Sequence, residues 1–130
     1  MATQEISSTN WKKFCERFVT LHRGTAMTVL KVEPDGQSRE VVREMPLTNA
    51  WMESGDCNDR IFFNFEQEGH RECIHEIVEP IHVKLREESQ GKKGLQIDAE
   101  SGSTLILFSS GKLQELLNEF SSPDAASNQR

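Results

Sequence analysis

Between Arg60 and Arg86, apolar side chains recur at every second position, at Ile61, Phe63 and Phe65 first and at Val83 and Leu85 later. Period-two alternation places successive side chains on opposite faces of an extended chain, so that one face can be buried while the other meets solvent. The pattern returns at Leu95, Ile97 and Ala99 and in the apolar run from Thr104 to Phe108. A chain of 130 residues patterned in this way is expected to form a single domain around a sheet. The same stretch carries His70, His75, His82 and Cys73, so core and side-chain chemistry are expected in one region.

Helical spacing appears twice. Trp11, Phe14, Cys15, Phe18 and Leu21 or His22 fall on one face behind the N-cap candidates Ser7 to Asn10, and Gly24 is placed to end that helix. Near the other terminus, Leu113, Leu116, Leu117 and Phe120 form a single apolar stripe after Ser109 and Ser110, which predicts a short helix. Residues 121–130 lack an apolar anchor and are expected to be a disordered tail behind a domain of residues 1–120.

Between the helices the chain reads as strands and turns. Thr25 to Glu33 and Arg39 to Leu47 form a hairpin about Pro34-Asp35-Gly36, in which Pro presets φ and Gly accepts a positive value. Thr48 to Asp59 reads as a long loop in which Trp51 is either a plug over the core or a lid over a pocket. Ile61 to Phe65 is the candidate central strand. Arg71 to Val78 fits strand and helix equally on spacing; as a strand with Ile74 and Val78 facing the core, it would also bury Glu76. Pro80 and Glu79 disfavour a tight hairpin into the next strand, where Ile81, Val83 and Leu85 alternate with His82, Lys84 and Arg86.

The 15 basic and 21 acidic residues give a net charge of -6, and the basic clusters at Lys12, Lys13 and Arg17 and at Lys84, Arg86, Lys92 and Lys93 are interleaved with acids. Nucleic acid is therefore not an expected partner. MATQEISSTN has no basic region followed by an apolar run, and no segment approaches the length of a membrane span. Cys15, Cys57 and Cys73 are odd in number and unpatterned, which suits reduced thiols. A cytoplasmic protein is the expectation.

His70, Cys73 and His75, supplemented by Cys57 or His82, are the weak candidates for a metal site of nitrogen and sulfur ligands. Parity opposes them: on a strand His70 points away from Cys73 and His75, and on a helix His75 turns away from the other two. A nucleophilic pair of Cys73 or Cys57 with His75 has the right residue types, but no phosphate loop, nucleophile elbow or metalloprotease motif accompanies it. No cofactor is expected.

The start MATQEI, the spacing of Trp11, Phe14, Phe18 and His22-Arg23-Gly24, the MPL at Met45 to Leu47, HEIVEP and IHVKL at His75 to Leu85, and LQIDAESGSTLILF at Leu95 to Phe108 carry a resemblance. Up to about Ser110 the chain resembles a family of small uncharacterised bacterial proteins known only as a domain of unknown function. That resemblance implies a bacterial cytoplasmic domain, brings no catalytic residues or cofactor with it, matches a family histidine to His75, and favours a strand at Arg71 to Val78. The chain departs from the family pattern in its richer cysteine and histidine content and in its apolar C-terminal helix.

These readings lead to an α+β domain: an antiparallel sheet of six or seven strands, flat or curled into an open barrel reminiscent of pleckstrin-homology domains, with an N-terminal helix and a short C-terminal helix. The expected function is a non-catalytic binding or accessory module for a protein or small-molecule partner, able to self-associate, with Trp51, His75 and Glu76 as its binding residues. A small enzyme or metal-dependent protein using His75 with Cys73 is the alternative.

Overall fold

The computed structural model describes residues 3–55, 58–67, 71–87 and 92–109. The strands are β1 (Thr3–Ile6), β2 (Ala26–Val32), β3 (Ser38–Ser54), β4 (Asp59–Gln67), β5 (Arg71–Val78), β6 (Pro80–Glu87), β7 (Lys92–Ala99) and β8 (Gly102–Ser109), and helix α1 spans Trp11–His22 after a 3-10 turn at Ser8–Asn10. The expected C-terminal helix and tail lie outside the described residues, as do His70 and Cys57.

All pairings are antiparallel, in the order β1-β6-β7-β8-β2-β3-β4-β5. Among the described residues the sheet thus has eight strands, not six or seven, and is open at β1 and β5. The unforeseen strand is β1, too short to show a period of its own. It is held by its register with β6, where Ile6 lies opposite Val83, and by Trp11, whose indole Nε1 donates to the Ile6 carbonyl at 2.9 Å. The centre of the order falls at β8 and β2, so Ile61 to Phe65 in β4 is not the central strand; it lies one place from an edge.

β3 folds the sheet over. Its first part pairs with β2 and its second with β4, and Pro46, which has no N–H to offer a ladder, stands where it changes partner. Irregular registers near Glu44 and Thr48 insert extra residues on the β3 side. Glu44 takes φ +46° there. The inserted residues reset the parity, so Val42, Met45, Leu47 and Ala50 are all buried although their spacing is uneven. This is why the sequence pattern of β3 reads as a strand and then a loop. Residues 48–54 are strand, Trp51 opposite Phe62 and Met52 opposite Ile61.

With β3 bent, β4 approaches β6 and β5 approaches β7, and the sheet becomes two facing layers. Ile61, Phe63 and Phe65 face Val83, Leu85, Leu95, Ile97 and Ile106 within one core. Helix α1 buries Trp11, Phe14, Cys15, Phe18, Val19 and His22 against it. Phe18 meets the edges of Phe63 at 6.2 Å and Phe108 at 5.4 Å, joining helix, β4 and β8. Such a ring fully withdrawn from water stabilises the fold by roughly 2–3 kcal/mol. The helix ends as its glycine foretold: Gly24 has φ +89°, its N–H donates to the Leu47 carbonyl at 2.8 Å, and the Leu47 N–H donates to Thr25 at 3.0 Å.

Arg71 to Val78 is a strand, but with the opposite sense to the one considered from its apolar pattern. Ile77 is buried and Cys73 and His75 face inward with it, opposite Phe65, Phe63 and Ile61, while Ile74, Glu76 and Val78 face outward. The β5 to β6 connection is a corner, not a hairpin, through Glu79 at φ +54°, whose N–H is held by the Asp59 carbonyl at 2.8 Å. A register irregularity between Pro80 and His82 then expels Ile81 from the face it was expected to share with Val83 and Leu85.

Two glycines with positive φ separate conformational cost from steric cost. Gly36 (φ +95°) faces open space in the β2–β3 turn, whereas a Cβ on Gly102 (φ +129°) would collide with the Val32 carbonyl oxygen. Chemical denaturation is expected to find Gly36→Ala destabilising by about 1–2 kcal/mol and Gly102→Ala by at least ~3 kcal/mol. Equal losses would contradict the close β2–β8 approach.

Candidate functional site

The residues singled out in the sequence divide between the two faces of the β3–β4–β5 layer. On the outer face, Trp51 stacks on Phe62 with ring centroids 4.9 Å apart and planes within 7° of parallel. Its Nε1 donates to Glu53 Oε2 at 3.1 Å. Trp51 is therefore neither a core plug nor part of a loop; it is half of a cross-strand aromatic pair at the surface. Glu76 continues the same row, opposite Phe62, and accepts from Arg60 Nη1 at 2.8 Å. The partner that a core-facing Glu76 would have needed is thus present, but both groups are solvated, and such a pair contributes little to stability.

Around this row lie Ile74 at 54% and Val78 at 42% exposure, both on β5, with Ile81 at 53% just past the corner. Asn64, between Trp51's neighbour Asn49 and Ile74 in the registers, is fixed by donation to Thr48 Oγ1 at 2.9 Å and Glu72 Oε2 at 3.0 Å.

His75 belongs to the inner face. Its Nε2 lies 3.1 Å from Oγ1 of Thr104, which is 1% exposed on β8. Burial, with the nearby cations of Lys31 and Arg39, holds its imidazole below the ordinary value of 6.5, so the neutral ring is favoured. Cys73, two residues away on the same face, lines a hollow of about 340 Å³ with Val41, Val42 and Met45 between β5 and β3. The structure thus brings Cys73 and His75 to one face but gives them different neighbours. His82 lies on the outer face of β6, where its Nδ1 is 2.7 Å from Glu5 Oε2. Among the described residues no group of His, Cys, Asp and Glu side chains is disposed to hold a metal ion.

Other polar groups went unnoticed in the sequence. Of Leu21 and His22, the two residues that helical spacing offered for the apolar face, His22 is the buried one, its Nδ1 at 3.1 Å from the Phe18 carbonyl and its ring against Phe108 at 5.0 Å. The i, i+4 spacing from Phe18 and the apolar helix face were the available signals. Burial opposes ionisation of Asp98, but hydrogen bonds from Gln96 at 2.8 Å and Ser103 at 2.7 Å, with Lys84 at 3.5 Å, more than offset it and lower its pKa. Burial, and secondarily Glu16, pushes the Cys15 thiol up to about 12, which leaves it a packing residue rather than a nucleophile.

Neither family models, nor curated proteins, nor solved structures yield a match to this chain. Among the described residues no helix is long and apolar enough to cross a membrane.

The direction of the His75 shift fixes a pH dependence. Because the unfolded imidazole binds protons more readily than the folded one, stability is full above pH 6.5 and falls as acidification proceeds toward the folded pKa. Thermal melts of the wild type and His75→Gln between pH 7.5 and 5 are expected to diverge, the wild type losing more on acidification. Parallel curves would contradict the half-buried neutral ring.

Proposed function

We propose that the protein is a non-catalytic binding module of the bacterial cytoplasm that takes an extended polypeptide segment at the β5 edge. The observation that carries this reading is the position of its large exposed apolar side chains: Ile74 and Val78 stand on the open edge strand itself, and Ile81 follows it. An unpaired strand edge supplies main-chain donors and acceptors, and the side chains on either side of it supply selectivity. Trp51 and Phe62 extend the apolar surface inward from the edge as a rigid stacked pair.

Charge narrows the partner. Glu72 and Glu76 flank Ile74 on the outer face of β5, and Glu79 lies at the corner. A segment in which apolar and basic residues take turns at every second position, all on one face, would set its apolar groups against Ile74, Val78 and Phe62 while its cations meet these carboxylates. The cysteines suit a reducing compartment, with Cys15 and Cys73 both free thiols.

A displayed library of random extended peptides tests the reading. Selection on the wild type is expected to enrich sequences in which apolar and basic residues take turns at every second position, and the amide shift perturbations of these peptides are expected to map to β5. Ile74→Lys and Val78→Lys, both at exposed positions, are expected to lower affinity at least ~tenfold without changing the melting temperature by more than a few degrees. Enriched peptides that bind both variants as well as the wild type would place the docking surface elsewhere.

A further inference from the structure

The inner face of the β2–β8 layer changes character along its length. At the α1 end it is lined by Met27, Val29, Ile106 and Phe108, all buried and apolar. At the far end the next residues in the same alternation are polar: Thr104 stands opposite Lys31, and Lys31 stands opposite Arg39 on β3. Two cations directly across an antiparallel pair repel each other. Placing one of them half-buried on an inward face adds a desolvation penalty. The nearest relief is Glu33, whose carboxylate is 3.6 Å from Arg39 Nε, and among the described residues Lys31 has no ion pair. Above this row β5 brings His75 over Thr104, with Nε2 and Oγ1 at 3.1 Å.

We propose that this end of the interlayer space is a binding site for a small oxyanion, a phosphate or carboxylate group held between Lys31 and Arg39 against the Thr104–His75 wall. An anion there removes the cross-strand repulsion, gives Lys31 the counter-charge it lacks, and finds hydrogen-bonding groups that the rest of the inner face does not offer. The groups facing His75 are Lys31 from β2, Arg39 from β3, Thr104 from β8 and Cys73 from its own strand, with Glu33 beyond Arg39. The cations are close enough to depress the imidazole pKa, which makes His75 a reporter of whatever neutralises them. The site lies on the opposite face of β5 from the proposed peptide surface and does not depend on it.

The test is the imidazole titration of His75, followed by NMR in sodium phosphate, sodium acetate and sodium chloride at matched ionic strength, because salt alone screens the cations. A bound oxyanion is expected to raise the His75 pKa saturably beyond the chloride value. Saturation in acetate identifies a carboxylate as sufficient, and saturation in phosphate alone identifies a phosphate site. Arg39→Gln, at the exposed rim, and Lys31→Met, which keeps the volume of the stem, are each expected to weaken the apparent affinity by about tenfold. Their melting curves, read in chloride, establish that both remain folded. If the phosphate and acetate titrations merely follow chloride, or if both folded variants retain the wild-type response, the site is not there.

Discussion

The structure depends on the bend in β3. This one strand of 17 residues supplies the last pairing partner of β2 and the first of β4, so without its change of direction the eight strands would form a flat sheet with one side of its apolar residues exposed. The bend is made by means that cost the ladder little: Pro46 sits where partners are exchanged, and inserted residues near Glu44 and Thr48 increase the twist while returning the following side chains to the inside. α1 then closes one end of the resulting space, with Phe18 between Phe63 and Phe108.

Strands β4, β7 and β8 were legible because nothing interrupts their alternation, and α1 because its apolar spacing, its preceding caps and Gly24 agree. The β2–β3 turn followed from Pro34-Asp35-Gly36, where the Gly36 N–H donates to the Glu33 carbonyl and the Asp35 carboxylate accepts from the Gln37 N–H. What failed to show has a common cause. A bulge shifts parity by one residue, so a strand containing bulges loses the period by which it is recognised; residues 48–54 looked like a loop for that reason, and Ile81 looked buried. β1 was invisible because its four residues gain their extended form from β6 rather than from their own pattern.

The candidate site shows a different limit. Sequence parity correctly divided Cys73, His75 and Ile77 from Ile74, Glu76 and Val78, but it could not say which set faces the core. The two branched aliphatic residues of the second set, against one in the first, point the wrong way, because β5 is an edge strand and its outer apolar groups remain exposed. Nor does any local signal reveal that Lys31 and Arg39 stand on the strands that His75 overlies, since this is a product of the β2–β3 and β2–β8 registers and of the fold-over that lays β5 across β8. The two faces of β5 therefore differ: Ile74 and Val78 alternate with Glu72 and Glu76 outside, whereas Cys73, His75 and Ile77 face inward.

The account rests on β5 being an open edge in the folded protein. Native-state hydrogen exchange of the β5 amides, compared with those of β4 and β8, tests this most directly. Alternate amides of β5, those directed away from β4, are expected to exchange at rates typical of exposed backbone while their neighbours and the β8 amides are protected. Uniform protection along β5 would contradict the account, because it would mean that the edge is already paired.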